Sequence, residues 1–170
     1  MRTIAARVQQ PIIFPLSNPT ERSEATPAEL LAWTESRAII GTGSPFPPVT
    51  RDGRSFRIDQ TNNAYVYPGI GLGAIAVSAR AVSDGMFLAA ARTIANLSPA
   101  KRDPRANLLP PLAELRNISL QVATAVAKQA TSEGLAEPVS EDNLVANIRA
   151  KMWEPVYAPY RRLPKASSGH

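Results

Sequence analysis

The sequence predicts an α/β protein: a partial three-layer domain with few parallel strands, followed by a helical C-terminal region. Three observations carry this. The first third of the chain reads strand, polar turn, helix, strand, a unit expected of parallel α/β sheets. From Ser83 onward, apolar residues recur at helical spacing. A length of 170 residues with 44% hydrophobic content suffices for one ordinary domain with a sizeable core.

Taken in order, residues 3–10 read as the end of a helix. Pro11-Ile12-Ile13-Phe14-Pro15-Leu16 is an apolar run with the length of a buried strand, its prolines near the ends where a strand tolerates them. Ser17-Asn18-Pro19-Thr20 is the polar turn that closes it. Thr26-Pro27-Ala28-Glu29 is a helix start: Thr26 caps, Pro27 suits the first helical position, and Glu29 completes a capping box. Leu30, Leu31 and Trp33 give that helix its apolar side. Arg37-Ala38-Ile39-Ile40-Gly41 is a second strand, running into the turn Thr42-Gly43-Ser44-Pro45-Phe46. Both turns follow the carboxyl ends of strands, the edge where open α/β sheets bind ligands.

Residues 49–61 read as a loop or small hairpin turning at Asp52-Gly53. Gln60-Thr61-Asn62-Asn63 then leads into a short β-prone run, Ala64-Tyr65-Val66-Tyr67, in which one tyrosine faces a core and the other a cleft. Ser83 caps a helix striped by Met86, Ala90, Ile94 and Leu97. Pro110-Pro111 introduces the longest helix, with Leu112, Leu115, Ile118, Val122 and Val126 on one face and Gly134 as its stop. Ser140-Glu141-Asp142 caps a last helix with the stripe Leu144, Ile148 and Met152. The tail from Trp153 is expected to pack along a surface, with residues 166–170 disordered. Two strands alone do not make a stable parallel sheet. Further strands come from another segment, or the chain is part of something larger; the second reading is favoured.

Composition excludes several chemistries. Without cysteine there is no disulfide, thiolate metal site or Cys nucleophile, and the lone His170 leaves no His-based triad. Glu24, Glu29 and Glu35 form no metal-ligand cluster, and Asp52, Asp59 and Asp84 read as solvated. No nucleophile–base pair is visible, so neither a catalytic residue nor a metal ligand is assigned. The net charge of +5 is dispersed, without aromatics for base stacking, and does not argue for nucleic acid. No apolar run approaches the ~20 residues of a membrane span, and Met1-Arg2 leads into no apolar core, so a cytoplasmic protein is expected.

What polar chemistry the sequence offers is carboxamide chemistry. Asn62 and Asn63 are adjacent, and Asn18 lies just past the first strand. Asparagine offers donors and acceptors without charge, which suits orienting a ligand better than acid–base work. Each also fits an Asx turn, in which the side chain serves its own backbone. Gly69-Ile70-Gly71-Leu72-Gly73-Ala74 matches a dinucleotide fingerprint in spelling, but Pro68 precedes it and Asp84 follows too early. Those glycines are better assigned to close helix packing.

The segments PIIFPLSNPTERSEATPAELLAWT, RAIIGTGSPFPPV, QTNNAYVYPGIGLG and SDGMFLAAAR, in this order and spacing, resemble the C-terminal part of malic enzymes. The LLPPL stretch and the Met152-Trp153…Tyr157…Tyr160 tail resemble that family too. The resemblance implies a partial Rossmann-like domain: the distal part of an NAD(P)-binding domain plus C-terminal helices over residues 1–165. It further implies oxidative decarboxylation of malate to pyruvate and CO2, with NAD or NADP as cofactor, Mg or Mn in the full-length enzyme but not ligated by this segment, and a homo-oligomer. Matched residue by residue, Asn18, Asn62 and Asn63 correspond to substrate contacts, and Ser17, Asn18, Gly43, Ser44 and Asn63 to cofactor contacts. The family's catalytic tyrosine and lysine, its acidic metal ligands and its phosphate-binding glycine loop have no matching motif here. The chain alone is therefore expected to be inactive. The competing readings are a non-catalytic α/β binding or assembly module and a basic nucleic-acid module.

Overall fold

The structure is a computed structural model that describes residues 1–104, 106–157 and 159–160. Its first half is a small parallel sheet. Strand β1 (Ile12–Ile13) pairs with β2 (Ile39–Thr42), and β2 pairs with β5 (Asp59–Gln60), all parallel, in the order β1-β2-β5. Helix α2 (Pro27–Trp33) makes the crossover from β1 to β2. Its capping box forms as read: Thr26 Oγ1 accepts from Glu29 N, and the Glu29 carboxylate accepts from Thr26 N. Leu30 and Leu31 of α2 are buried against Ile13, Ala38 and Ile40 of the sheet. The opposite face of β1 leaves Ile12, Phe14 and Leu16 exposed.

Helix α1 (Arg2–Arg7) is shorter than residues 3–10. It ends where Arg37 donates to the carbonyls of Ala5, Val8 and Gln9, taking up acceptors that further helix would have used. Strands β3 (Val49–Arg51) and β4 (Arg54–Phe56) form the expected hairpin about Asp52-Gly53. The segment after it is not loop. Asp59 and Gln60 form β5, opposite Gly41 and Thr42, and supply the third parallel strand.

The second half is helical: α3 (Tyr67–Ala76), α4 (Asp84–Leu97), α5 (Leu115–Ser132) and α6 (Glu141–Lys151). The β-prone run is a second correction. Residues Asn63–Tyr65 form a 3-10 turn that leads directly into α3. Asn62 caps the turn, and Pro68 sits in the first turn of α3, where its missing N–H costs nothing. Helix α3, poor in intrinsic propensity, is held by packing on α5. A Cβ at Gly69 would lie 2.5 Å from Val122 Cγ1, and one at Gly73 2.5 Å from Ala123 O. Gly69 and Gly73 therefore serve close helix packing, as the sequence suggested, whereas Gly71 faces open space. Met86, Ala90 and Ile94 of α4 join Ile118, Val122 and Val126 of α5 in the main core.

Two smaller departures concern the C-terminal part. Ser140 precedes α6 but its side chain makes no capping bond. Among the described residues of the tail, Trp153, Val156, Tyr157 and Tyr160 are exposed rather than packed along a surface, and Arg116 holds its root through Trp153 O and Glu154. Residues 166–170 lie outside the described residues.

Candidate functional site

Parallel strands deliver all their following loops to one edge. Here that edge carries residues 16–19 after β1, Gly43 and Ser44 after β2, and residues 61–63 after β5. The six residues singled out from sequence all lie on these three loops. Direct bonds join the loops. Gly43 N donates to Pro15 O at 3.0 Å, and Thr61 N donates to Thr42 O at 2.8 Å. Gln60 Nε2 reaches Gly43 O at 3.4 Å.

Gly43 is required by close approach. A Cβ there would sit 2.2 Å from Leu16 O, inside any allowed contact, so only glycine lets the first two loops touch. Beside it Ser44 is buried at 4% exposure, its carbonyl taken by Thr42 Oγ1 at 2.8 Å. Its hydroxyl donates to Asn18 Oδ1 at 2.5 Å, bringing two candidate residues into direct contact.

Asn18 is thus held by its oxygen. Asn62 is held the same way: its Oδ1 accepts from Ala64 N at 2.9 Å. A backbone N–H can only donate, so this bond fixes which end of the Asn62 amide is oxygen. The Asx turn and the ligand-facing role are therefore compatible in Asn62. The side-chain oxygen serves the backbone and the NH2 group keeps its donors. Asn63 is exposed and opens the 3-10 turn.

Ser17 is committed within the protein. Its hydroxyl donates to Glu24 Oε1 at 2.8 Å and its N–H to Glu24 Oε2 at 3.3 Å. Hydrogen bonds from Glu24's own backbone and from Ser17 hold the Glu24 carboxyl below the usual carboxylate range. Glu24 thereby stabilises the turn that carries Asn18, a role its position in the sequence does not announce.

Asp59 is the correction with most consequence. Its side chain is buried at 3% exposure rather than solvated. It accepts from Leu108 N at 2.9 Å, Leu109 N at 3.2 Å and Arg57 Nη2 at 2.9 Å. Burial pushes its carboxyl above the ordinary value, against the pull of Leu109 N–H, Arg57 and Leu108 N–H. Tyr65 is the buried tyrosine, its hydroxyl donating to Pro110 O at 2.6 Å, whereas Tyr67 is exposed. The backbone partners of these two groups lie 45 to 50 positions away, beyond any local signal.

A concavity of about 510 Å3 opens at the opposite, amino-terminal edge of the sheet, beside Gln9, Ser36, Arg37, Arg54 and Arg57. Its arginines already serve protein partners. Arg37 holds the end of α1, Arg57 holds Asp59 and Leu109 O, and Arg54 lies 5.3 Å from the Phe56 ring centroid. Among the described residues no group of three or more Asp, Glu, His or Cys converges as a metal site. No helix among them is long and apolar enough to cross a membrane.

Comparison with known proteins identifies the family. The profile described as "Malic enzyme, NAD binding domain" matches residues 1–131. The NAD-dependent malic enzyme of Acinetobacter baylyi is 44% identical over 164 residues, and that of Psychromonas ingrahamii 46% over 162. These matches take in 96% and 95% of this chain but 29% of each relative. The chain thus spans under a third of the length of the relatives it matches. Among solved structures, the malic enzyme of Pyrococcus horikoshii superposes with a TM-score of 0.64 at 30% identity, covering 87% of this chain and 31% of that one. The Entamoeba histolytica malic enzyme gives 0.64 at 28% identity, covering 83% and 27%. A partial Rossmann-like sheet, its loops gathered at the carboxyl edge, and a family profile matching residues 1–131 lead to one conclusion: the chain belongs to the malic enzyme family, in the NAD-binding domain.

Proposed function

We propose that this chain supplies cofactor- and substrate-holding loops of an NAD-dependent malic enzyme, which oxidises malate and releases CO2 to give pyruvate. The observation that carries this reading is the convergence of Asn18, Gly43, Ser44, Asn62 and Asn63 on the carboxyl edge of three adjacent parallel strands, with Ser44 bonded to Asn18. Relatives named NAD-dependent malic enzymes support NAD rather than NADP. In this reading Asn18, Asn62 and Asn63 hold malate, and Ser17, Asn18, Gly43, Ser44 and Asn63 line the cofactor.

The residues present fit that task. Ser44 and Ala64 N occupy the oxygens of Asn18 and Asn62, so each amide keeps its NH2 donors for a ligand acceptor. Malate presents carboxylate oxygens and nicotinamide a carboxamide oxygen, both matched by neutral donors. NAD, when bound, accepts the hydride. The chain's own residues orient the two ligands and move no proton. For the divalent metal the described residues do not fit, since no acidic cluster converges, and no step here runs through a metal.

Residues 1–165 are proposed to be the distal part of the cofactor domain with its C-terminal helices. Cytoplasmic location and homo-oligomeric assembly belong to the same proposal, the latter checked by sedimentation of a polypeptide in which this chain is extended with the rest of a malic enzyme. The direct test titrates NAD and malate onto that polypeptide and its Asn18→Ala and Asn62→Ala variants. A hydrogen bond to a charged group contributes about 1.5–3 kcal/mol, so each variant should raise the malate KM by about ten- to a hundredfold. Unchanged constants for both ligands in both variants would overturn the reading. The 170-residue chain alone should reduce no NAD with malate; robust turnover by it would contradict the assignment of no catalytic residue.

A further inference from the structure

We propose that Asp59 and Tyr65 are positioning residues that hold the Asn62 and Asn63 turn in place through one shared strap, residues 108–110. This rests on the reading of those asparagines as ligand-holding. The pair itself is exposed; among the described residues, the bond that Asn62 Oδ1 accepts from Ala64 N is the one side-chain bond it contributes. Its flanks are different. Asp59, three positions before the pair, and Tyr65, two positions after it, are buried at 3% and 4% exposure.

Both flanks end on the same short segment. Asp59 Oδ2 accepts the N–H groups of Leu108 and Leu109, and Tyr65 OH donates to Pro110 O. Arg57 closes the arrangement, donating to Asp59 Oδ1 at 2.9 Å and to Leu109 O at 2.8 Å. Asn107 Nδ2 in turn donates to Arg57 O at 2.9 Å. The strap ends in Pro110-Pro111, whose fixed φ angles limit its own freedom. The turn is therefore suspended between two buried anchors whose far ends are a single stiff segment.

The chemistry of the anchors supports positioning over mere packing. Burying a carboxylate is costly unless it is paired and hydrogen-bonded, and an apolar side chain would fill a strand position without that cost. Here the carboxylate ties β5 to backbone far away in sequence. An exposed turn that must order on binding gives up affinity, and one held in advance gives up less. Loosening an anchor should therefore raise KM for the ligand more than it lowers kcat.

The test uses the longer malic enzyme polypeptide carrying Tyr65→Phe, Asp59→Asn, Asn62→Ala with Asn63→Ala, and their combinations. Tyr65→Phe and Asp59→Asn should each raise the malate KM by about three- to tenfold, the size expected of one lost hydrogen bond, with a smaller change in kcat. In the double-asparagine background the same substitutions should add nothing, because their effect travels through the missing amides. Equal KM factors in both backgrounds would overturn the proposal, since a general loss of structure behaves additively. So would an unchanged KM in Tyr65→Phe and Asp59→Asn while the double-asparagine variant raises it, an outcome that leaves the ligand-holding reading standing. If the double-asparagine variant itself leaves the malate KM unchanged, both fail. Tyr65→Phe keeps its ring in the core and carries the test should Asp59→Asn not fold.

Discussion

Gly43 shows how much one residue can decide. With Leu16 O only 2.2 Å from where its Cβ would be, Gly43→Ala must push apart the two loops that carry Asn18 and Ser44. Backbone cannot yield as a side-chain tip does. The variant should lose about 1–3 kcal/mol by overpacking, read as a lower melting temperature, together with cofactor affinity. Asp59 makes a pH prediction. Burial raises its folded-state pKa above the unfolded value, so the folded chain holds its proton more tightly. The linked stability is fully present below the unfolded pKa and is lost as pH rises through the raised folded value. Over that window stability should climb on acidification in the parent relative to Asp59→Asn, as the difference between their melting temperatures plotted against pH. A difference independent of pH, or of opposite slope, would refute it. The resemblance singled out Gly43 as a cofactor contact but not its close approach to Leu16 O, and Asp59 resembles any loop aspartate until residues 108 and 109 are placed beside it.

Among the elements, α3 separates packing from propensity. Gly69 and Gly73 face α5, whereas a Cβ at Gly71 would meet nothing within 4 Å. Gly71→Ala should therefore stabilise by about 0.5–1 kcal/mol, the usual gain on removing glycine from a helix interior. Gly69→Ala, with Val122 Cγ1 at 2.5 Å, should destabilise by about 1–3 kcal/mol. Thermal unfolding of the two variants reads the contrast, and like signs would show that α3 does not pack as described. Most of the helices were legible because their signals are local: Thr26 with Glu29, Ser83 before Met86, and the stripes of α4 and α6 appear as read, whereas Leu112 is exposed in a 3-10 turn and α5 begins only at Leu115. Strand β5 was not. Two residues, one of them a buried aspartate, carry no strand periodicity, and their pairing with Gly41 and Thr42 is a tertiary fact. The stretch 64–67 misled for the opposite reason: β-prone tyrosines and valine yielded to capping by Asn62 and to the pull of α5.

For the whole molecule, the open side of the sheet is the telling feature. Parallel sheets are covered on both faces, yet Ile12, Phe14 and Leu16 of one face are exposed. The chain spans 29% of the relatives it matches. In a polypeptide extended with the rest of a malic enzyme, the backbone amides of Ile12, Ile13, Phe14 and Leu16 should exchange far more slowly with solvent than in this chain alone. Equal exchange in the two would refute that covering. By itself the sequence determined the family, the apolar stripes of α4 and α6 and the caps at Thr26 and Ser83, because capping, periodicity and motif order are written in neighbouring residues. Only the tertiary structure decided that Asp59 is buried, that the amide oxygen of Asn18 meets Ser44, and that three loops share one edge. Those outcomes depend on contacts between residues 17 to 50 positions apart, and no local pattern encodes which distant backbone will be there to meet them.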